Sequence, residues 1–270
     1  PVPRRRGQEA AAQSPGADGA GRAVLFAPFS RKKKEEQQDN GAYGKMQERS
    51  IAIDGPAGAG KSTLARALAQ ELGYLYVDTG AIYRTVALRV REAGADPSNP
   101  AQVESLLEGL DIRMDYGEDG VQRMYLSGRD VTEAIRENAV SALASQVAAL
   151  PAVRDFLLDF QRRQARERDV VMDGRDIGTV VLPRARVKIF LTAAPEARAE
   201  RRLLELRQRG QDAAFDTVLS DIIRRDEQDR NRAIAPLRQA EDAVLLDTTR
   251  LDRAGSLEAL LAIVRERLPQ

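Results

Sequence analysis

The sequence predicts an α/β fold with a central parallel sheet. Three observations predict it. Short apolar runs alternate with amphipathic stretches along most of the 270 residues. The first apolar run ends in a glycine-rich turn that opens directly into the first amphipathic stretch. The one break in the alternation, at 111–128, is short and local. Apolar residues make up 43% of the chain and charged residues 31%, the balance of a soluble globular protein long enough to bury a sizeable core.

The elements follow in order. Residues 1–45 are rich in Gly, Ala, Gln, Pro and charge and read as a disordered extension, with Met46 a candidate start. Its apolar cluster Val24–Phe29 is short and holds Pro28, unlike the apolar region of a signal peptide. Ser50–Asp54 reads as a strand and Gly55–Gly60 as a turn. A helix over about 61–71 follows, with Leu64, Leu68 and Leu72 at helical spacing and Gly73 as its stop. Tyr74–Val77 is the next strand and about 81–93 the next helix. Asp111–Tyr116 and Val121–Ser127, joined by Gly117–Gly120, predict a hairpin. Helices are expected over about 132–149 and 152–167, with Pro151 at the break. Val170–Met172 and Val187–Leu191 resume the strands, Lys188 reading as the polar edge of the second. Pro195–Arg209 predicts a helix with proline in its first turn and Gly210 after its end. A highly charged helix over about 215–232, a strand at Val244–Asp247 and a closing helix at Ser256–Leu268 complete the chain.

Composition narrows the chemistry. With no Cys and no His, disulfides, thiolates and the commonest general base and metal ligand are all excluded. Catalysis must run on carboxylates, Arg, Lys, hydroxyls and backbone groups. A net charge of +1 gives no reason to expect nucleic acid or an anionic membrane as a partner, and no stretch has the length of a membrane span. Only six basic residues are Lys, so a Lys in the patterned region stands out, as Lys61 and Lys188 do.

Gly55-Pro56-Ala57-Gly58-Ala59-Gly60-Lys61-Ser62, followed by Thr63, matches the phosphate-loop pattern G-x-x-x-x-G-K-[ST] between a strand and a helix. Its glycines let backbone N–H groups curl into an anion nest, and the helix N-terminus adds positive charge. Lys61 is positioned for the β- and γ-phosphates of ATP, and the Ser62 hydroxyl for Mg²⁺. The chain has no N-K-x-D guanine motif, and a small phosphotransferase is the favoured class.

Three further segments suit an acceptor. Thr79 and Arg84, just past the second strand, could share one phosphate, or form a capped helix with a solvated Arg. Asp173, Arg175 and Asp176 end a strand, where ligands gather in open α/β sheets. There Asp173 could hold Mg²⁺ through water, Arg175 a phosphate and Asp176 a base amino group, or the segment could be a turn with a local ion pair. Arg225, Asp229 and Arg232 stand at i, i+4 and i+7, on one face of a mobile lid or of a solvated, ion-paired helix.

Together these motifs resemble the bacterial cytidylate kinase family. The likeness is carried by I-D-G-P-A-G-A-G-K-S-T at 53–63, D-T-G-A-I-Y-R at 78–84 and A-S-Q-V-A at 144–148, and by D-G-R-D-I-G-T-V-V at 173–181, V-K-I-F-L at 187–191 and R-D-E-Q-D-R-N-R at 225–232. The resemblance implies a three-layer P-loop NTPase fold over 46–270. Its core would span 46–107, 168–206 and 233–270, its acceptor-binding insert about 108–150 and its lid about 207–232. It implies transfer of the ATP γ-phosphoryl to CMP or dCMP by a cytoplasmic, Mg²⁺-dependent monomer. Ser145, Arg154 and Asp176 would read cytosine, Thr79, Arg84 and Arg175 the acceptor phosphate, and Asp229 the ribose hydroxyl. Lys61, Arg175, Arg225 and Arg232 would stabilise the transferring charge. The rival readings are a P-loop kinase for another small acceptor and an ATP-binding module that transfers nothing.

Overall fold

A computed structural model of the chain describes residues 49–208 and 210–268, and the expected extension at 1–45 lies outside them. The central sheet has five strands: β1 (Ser50–Asp54), β2 (Leu75–Asp78), β6 (Val170–Gly174), β7 (Val187–Thr192) and β8 (Val244–Asp247). Their spatial order is β2-β6-β1-β7-β8, and every pair is parallel. Parallel strands covered on both faces read as continuous apolar runs, and β1 and β6 are buried at every residue.

Alternation divides each strand between two layers. Ile51 and Ile53 face a core completed by α1 (Lys61–Leu72) and α8 (Arg253–Arg267), through Leu64, Leu68, Leu260 and Val264. Ala52, Val77 and Met172 belong to the opposite core, shared with α2 (Thr79–Glu92), α4 (Asn138–Val147) and α5 (Pro151–Glu167). The hairpin forms as β3 (Ile112–Tyr116) and β4 (Gln122–Leu126), extended by the short β5 (Arg129–Asp130). Met114 and Met124 of this sheet are buried in the second core. Gln122 locks it to the end of β2, accepting from the Asp78 N–H at 2.8 Å and donating to its carbonyl at 3.2 Å.

Several expected boundaries shift for identifiable reasons. Helix α3 (Pro100–Leu107) had not been expected, although Asn99 caps it by accepting from Gln102 N and proline occupies its first turn. The expected helix over 132–149 splits into a 3₁₀ turn at Ala134–Arg136 and α4, because Glu137 is extended. The closing helix starts earlier, at Arg253, where Asp252 accepts from Gly255 N. Helix α6 (Pro195–Gln208) leads to the charged helix α7 (Phe215–Arg230). Lys188 is not a polar edge: β7 lies between β1 and β8, and the buried ammonium donates to Pro183 O at 2.6 Å and to Asp242 at 2.9 Å.

Candidate active site

The register brings the site together. Asp54 ends β1 beside Gly174 of β6, and Asp78 ends β2 beside Asp173, so three strand-end carboxylates share the carboxyl edge of the sheet. The phosphate loop leaves that edge at Gly55, whose φ is +151°. A Cβ there would lie 1.9 Å from the Leu191 carbonyl oxygen, so only glycine lets the chain pass so close to β7.

Gly55 to Gly60 then carry the backbone to the start of α1. Lys61 is buried, and its ammonium donates to Pro56 O at 2.8 Å, across the loop. Burial, reinforced by Arg175, lowers its pKa to about 7 against the opposing pull of Asp173, Asp229 and Asp54. Ser62 and Thr63 are exposed, and the Ser62 hydroxyl donates to Asp173 at 2.8 Å. The buried Tyr76 hydroxyl donates to the other oxygen of Asp173 at 3.1 Å. Burial and the neighbouring Asp78 raise Asp173 to about 6. A hydroxyl beside a carboxylate is a hard-oxygen donor pair of the kind Mg²⁺ takes, with its remaining positions left to phosphate oxygens and water. These two residues therefore fit the expected ion.

Thr79 and Arg84 each have a protein partner. The Thr79 hydroxyl donates to Asp173 O at 2.7 Å, and Arg84 pairs with Asp78 at 2.9 Å. The helix cap is Asp78, which accepts from Ala81 N. Arg154 and Asp176 form a buried ion pair; Arg154 also donates to Ala148 O at 3.2 Å and lies 5.8 Å over the Tyr83 ring. Burial raises the Asp176 pKa, with Arg154 and Arg232 opposing it. Ser145 is half-buried on α4, one turn from the Ser141 carbonyl to which Arg225 of α7 donates at 3.4 Å.

Asp229 is held by Arg175, at 2.7 Å, and by Arg232. Burial favours its neutral form, but the two guanidiniums outweigh that and hold its pKa below the usual value. One expectation is corrected here. Arg225, Asp229 and Arg232 do not share one helical face, because α7 ends at Arg230. Arg232 reaches Asp229 from beyond the helix end, after Asn231 has left helical geometry. Arg225 is half-buried, its Nε has no partner, and burial together with Arg175 lowers its pKa to about 10.

These groups form one electrostatic neighbourhood. Arg175 acts on Lys61; Arg84, Arg175 and Arg232 act on Arg225; Arg154 and Asp176 act on Arg232. Five guanidiniums, at 84, 154, 175, 225 and 232, face the carboxylates of Asp78, Asp176 and Asp229. With Lys61, and with Asp54 and Asp173 that act on it, the neighbourhood holds six cations against five carboxylates, a positive balance that suits a phosphate.

Other members of the site had not been singled out from the sequence. Tyr76 and Tyr83 look like core aromatics until their partners are known. Asp54 accepts from the N–H groups of Ile177 and Gly178 at 2.8 and 2.7 Å, pinning a π-helical turn at Ile177–Val181. Burial raises its pKa to about 7 against those two hydrogen bonds. An open cavity of about 340 Å³ is lined in part by Thr192, Arg198, Ile223, Asp226, Arg230 and Thr249, and Arg198 joins its wall to Ala57 of the phosphate loop. Its walls come from three segments distant in sequence, which no local motif reveals.

The cytidylate kinase family model matches residues 51–266. The chain is 50% identical to the cytidylate kinase of Geobacter sulfurreducens over 217 residues, 80% of this chain and 93% of that protein. It is 48% identical to that of Caldicellulosiruptor bescii over 218 residues, 81% of this chain and 96% of that one. Its identity to the cytidylate kinase of Carboxydothermus hydrogenoformans is 49% over 214 residues, 79% of this chain and 96% of that one.

Proposed function

The chain belongs to the cytidylate kinase family, and on that premise we propose that it transfers the terminal phosphoryl group of ATP to CMP or dCMP through the residues of the carboxyl edge. A phosphate oxygen of the acceptor attacks the γ-phosphorus. The bond from that phosphorus to the bridging oxygen breaks, and the electron pair leaves on ADP. The loose transition state spreads charge over oxygens, so it needs positioning and cations more than a base. A chain without His is adequate for that.

The amides of Gly55–Gly60 and the ammonium of Lys61 take the donor phosphates. Ser62 directly, and Asp173 through water, would hold Mg²⁺, which supplies charge neutralisation when bound. The cavity at Thr192, Ile223, Arg230 and Thr249 takes the nucleoside end of ATP, because Arg198 in its wall is bonded to Ala57 of the loop. Arg84, Arg175 and Thr79 receive the acceptor phosphate by exchanging their present partners for it. Ser145, Arg154 and Asp176 read cytosine, Asp176 accepting from the exocyclic amine. Asp229 takes a sugar hydroxyl, while Arg225 and Arg232 complete the charge on closure of a lid at about 207–232. Closure excludes the water that would otherwise hydrolyse ATP. The acceptor insert is assigned to about 108–150 and the core to 46–107, 168–206 and 233–270.

The observation that carries this reading is the opposition of the Lys61 loop to a cluster of five guanidiniums. Because donor and acceptor groups all come from one chain, a monomer acting on free cytoplasmic nucleotides is the form proposed. Among the described residues no helix is long and apolar enough to cross a membrane. A coupled ADP-release assay over CMP, dCMP, UMP, AMP and GMP tests the assignment. CMP or dCMP is expected to be the best substrate. UMP, whose carbonyl would face Asp176, should turn over about 10²-fold less efficiently or worse. Equal or better turnover of UMP would defeat the cytosine assignment.

A further inference from the structure

The most deeply buried charged pair among the described residues, Arg198 and Asp226, lines the cavity assigned to ATP and has been given no role above. Arg198, on α6, is 1% exposed and is the largest fully buried side chain. Its Nε donates to Ala193 O at 2.9 Å, and Nη1 to Ala57 O at 2.9 Å. The two terminal nitrogens grip Asp226 as a fork, at 3.0 and 2.6 Å. One planar group therefore joins three segments: the phosphate loop, the residue after β7 and the charged helix α7. A Cβ on Gly58 would lie 3.5 Å from the Arg198 Cβ, so the loop packs against the stem as well.

Asp226 occupies a telling position. It follows Arg225 by one residue and precedes Asp229 by three, on the same helix. Its side chain is 3% exposed and Arg230 approaches it only at 3.8 Å, so Arg198 is its principal partner. A helix moves as a unit. Where Asp226 is held, the acceptor-side groups of α7 are held as well. A buried ion pair is weak evidence for stability, since apolar residues of similar volume often serve as well. A bidentate link between two halves of a site gives such a pair a reason to be there.

We propose that Arg198 and Asp226 are positioning residues that couple the two nucleotide sites: occupation of the phosphate loop fixes Ala57, and through the Arg198 fork fixes α7 for the acceptor. Donor and acceptor then bind with positive cooperativity, each tightening the other by the same factor. The inference rests on the donor and acceptor assignment above and adds the linkage between them.

The test is calorimetric titration of CMP into the full chain, with and without a saturating non-hydrolysable ATP analogue and Mg²⁺. The wild type is expected to bind CMP about fivefold or more tightly with the analogue present. Arg198→Met combined with Asp226→Leu removes both charges and leaves neither buried alone, so the fold is expected to survive. In that variant CMP should still bind without the analogue and the analogue without CMP, and the ratio of the two CMP affinities should fall to about one. Arg198→Lys keeps the charge but not the fork, should lower the ratio as well, and supplies the same readout if the double variant does not fold. A ratio unchanged in these variants, or equal to one in the wild type, overturns the linkage while leaving the assigned sites standing. Failure of the wild type to bind CMP at all would remove the acceptor assignment and the linkage together.

Discussion

Lys61 is where residue-scale physics is sharpest. It is a buried ammonium with a pKa lowered to about 7, held by one carbonyl in the loop it closes. Donor phosphates favour its charged form, so ATP binding raises that pKa. The sign follows: above about 7 the free protein has largely lost this proton, and binding must take one up. Titration of ATP at ~1 pH unit above that value, in two buffers of different ionisation heat, should report proton uptake. Lys61→Ala should abolish that uptake and lower transfer by about 10³-fold with the fold retained. Uptake that persists in the variant would place the proton elsewhere. Arg154 gives a second prediction. Its buried pair with Asp176 is the one proposed to read cytosine. Arg154→Met should therefore raise the KM for CMP by about 10²-fold and leave the ATP KM nearly unchanged. Equal increases in both constants would contradict that placement. At this scale the sequence was informative about placement where a residue type was rare or a strand end clear, as at Lys61 and Asp173. It was silent on Tyr76, Tyr83, Asp54 and the Arg198–Asp226 pair. Those groups matter through partners between 28 and 124 residues away, which only the folded register supplies.

At the scale of elements, the phosphate loop is shaped by what it passes. Gly55→Ala would drive a methyl group into the Leu191 backbone oxygen, 1.9 Å away, in a strand that cannot easily move. The expected result is a loss of about 1–3 kcal/mol of stability, read as a lower Tm, together with loss of ATP binding. A variant of wild-type Tm and affinity would show that the loop does not depend on this approach. The elements legible from sequence were those with a clean period: the buried strands, α1 and the hairpin. Boundaries failed where the last turn was decided by tertiary contacts. The charged helix stops at Arg230 because the chain must turn back to bring Leu237 N to the Asp229 carbonyl at 2.8 Å. No spacing rule carries that information, and so the shared face expected for Arg232 was wrong even though its contact with Asp229 is present. Helix α3 had a readable Asn-Pro start and was missed because its eight residues are a weak periodic signal.

For the whole molecule, the governing fact is the parallel sheet. Its strand order sets β6 between β2 and β1, which brings the segments after residues 54, 78 and 173 to one edge. The antiparallel sheet and α4 cover one side of that edge, and α7 crosses toward it through Ser141 and Arg198. The α/β class and the inserted hairpin were legible because each element carries its own periodicity. The convergence of Arg84, Arg154, Arg175, Arg225 and Arg232 was not derivable from spacing. It depends on crossovers that the sequence encodes only collectively, and it came instead from the likeness of the motifs to a family. The central claim is that two anionic nucleotides lie tail to tail across this edge. The most direct test is a crystal structure of the chain with CMP, Mg²⁺ and a non-hydrolysable ATP analogue. The CMP phosphate is expected against Arg84 and Arg175, facing the analogue's γ-phosphate on the Lys61 loop, with cytosine at Asp176 and Arg154. A complex in which these arginines point to solvent and no second nucleotide faces the loop would contradict it.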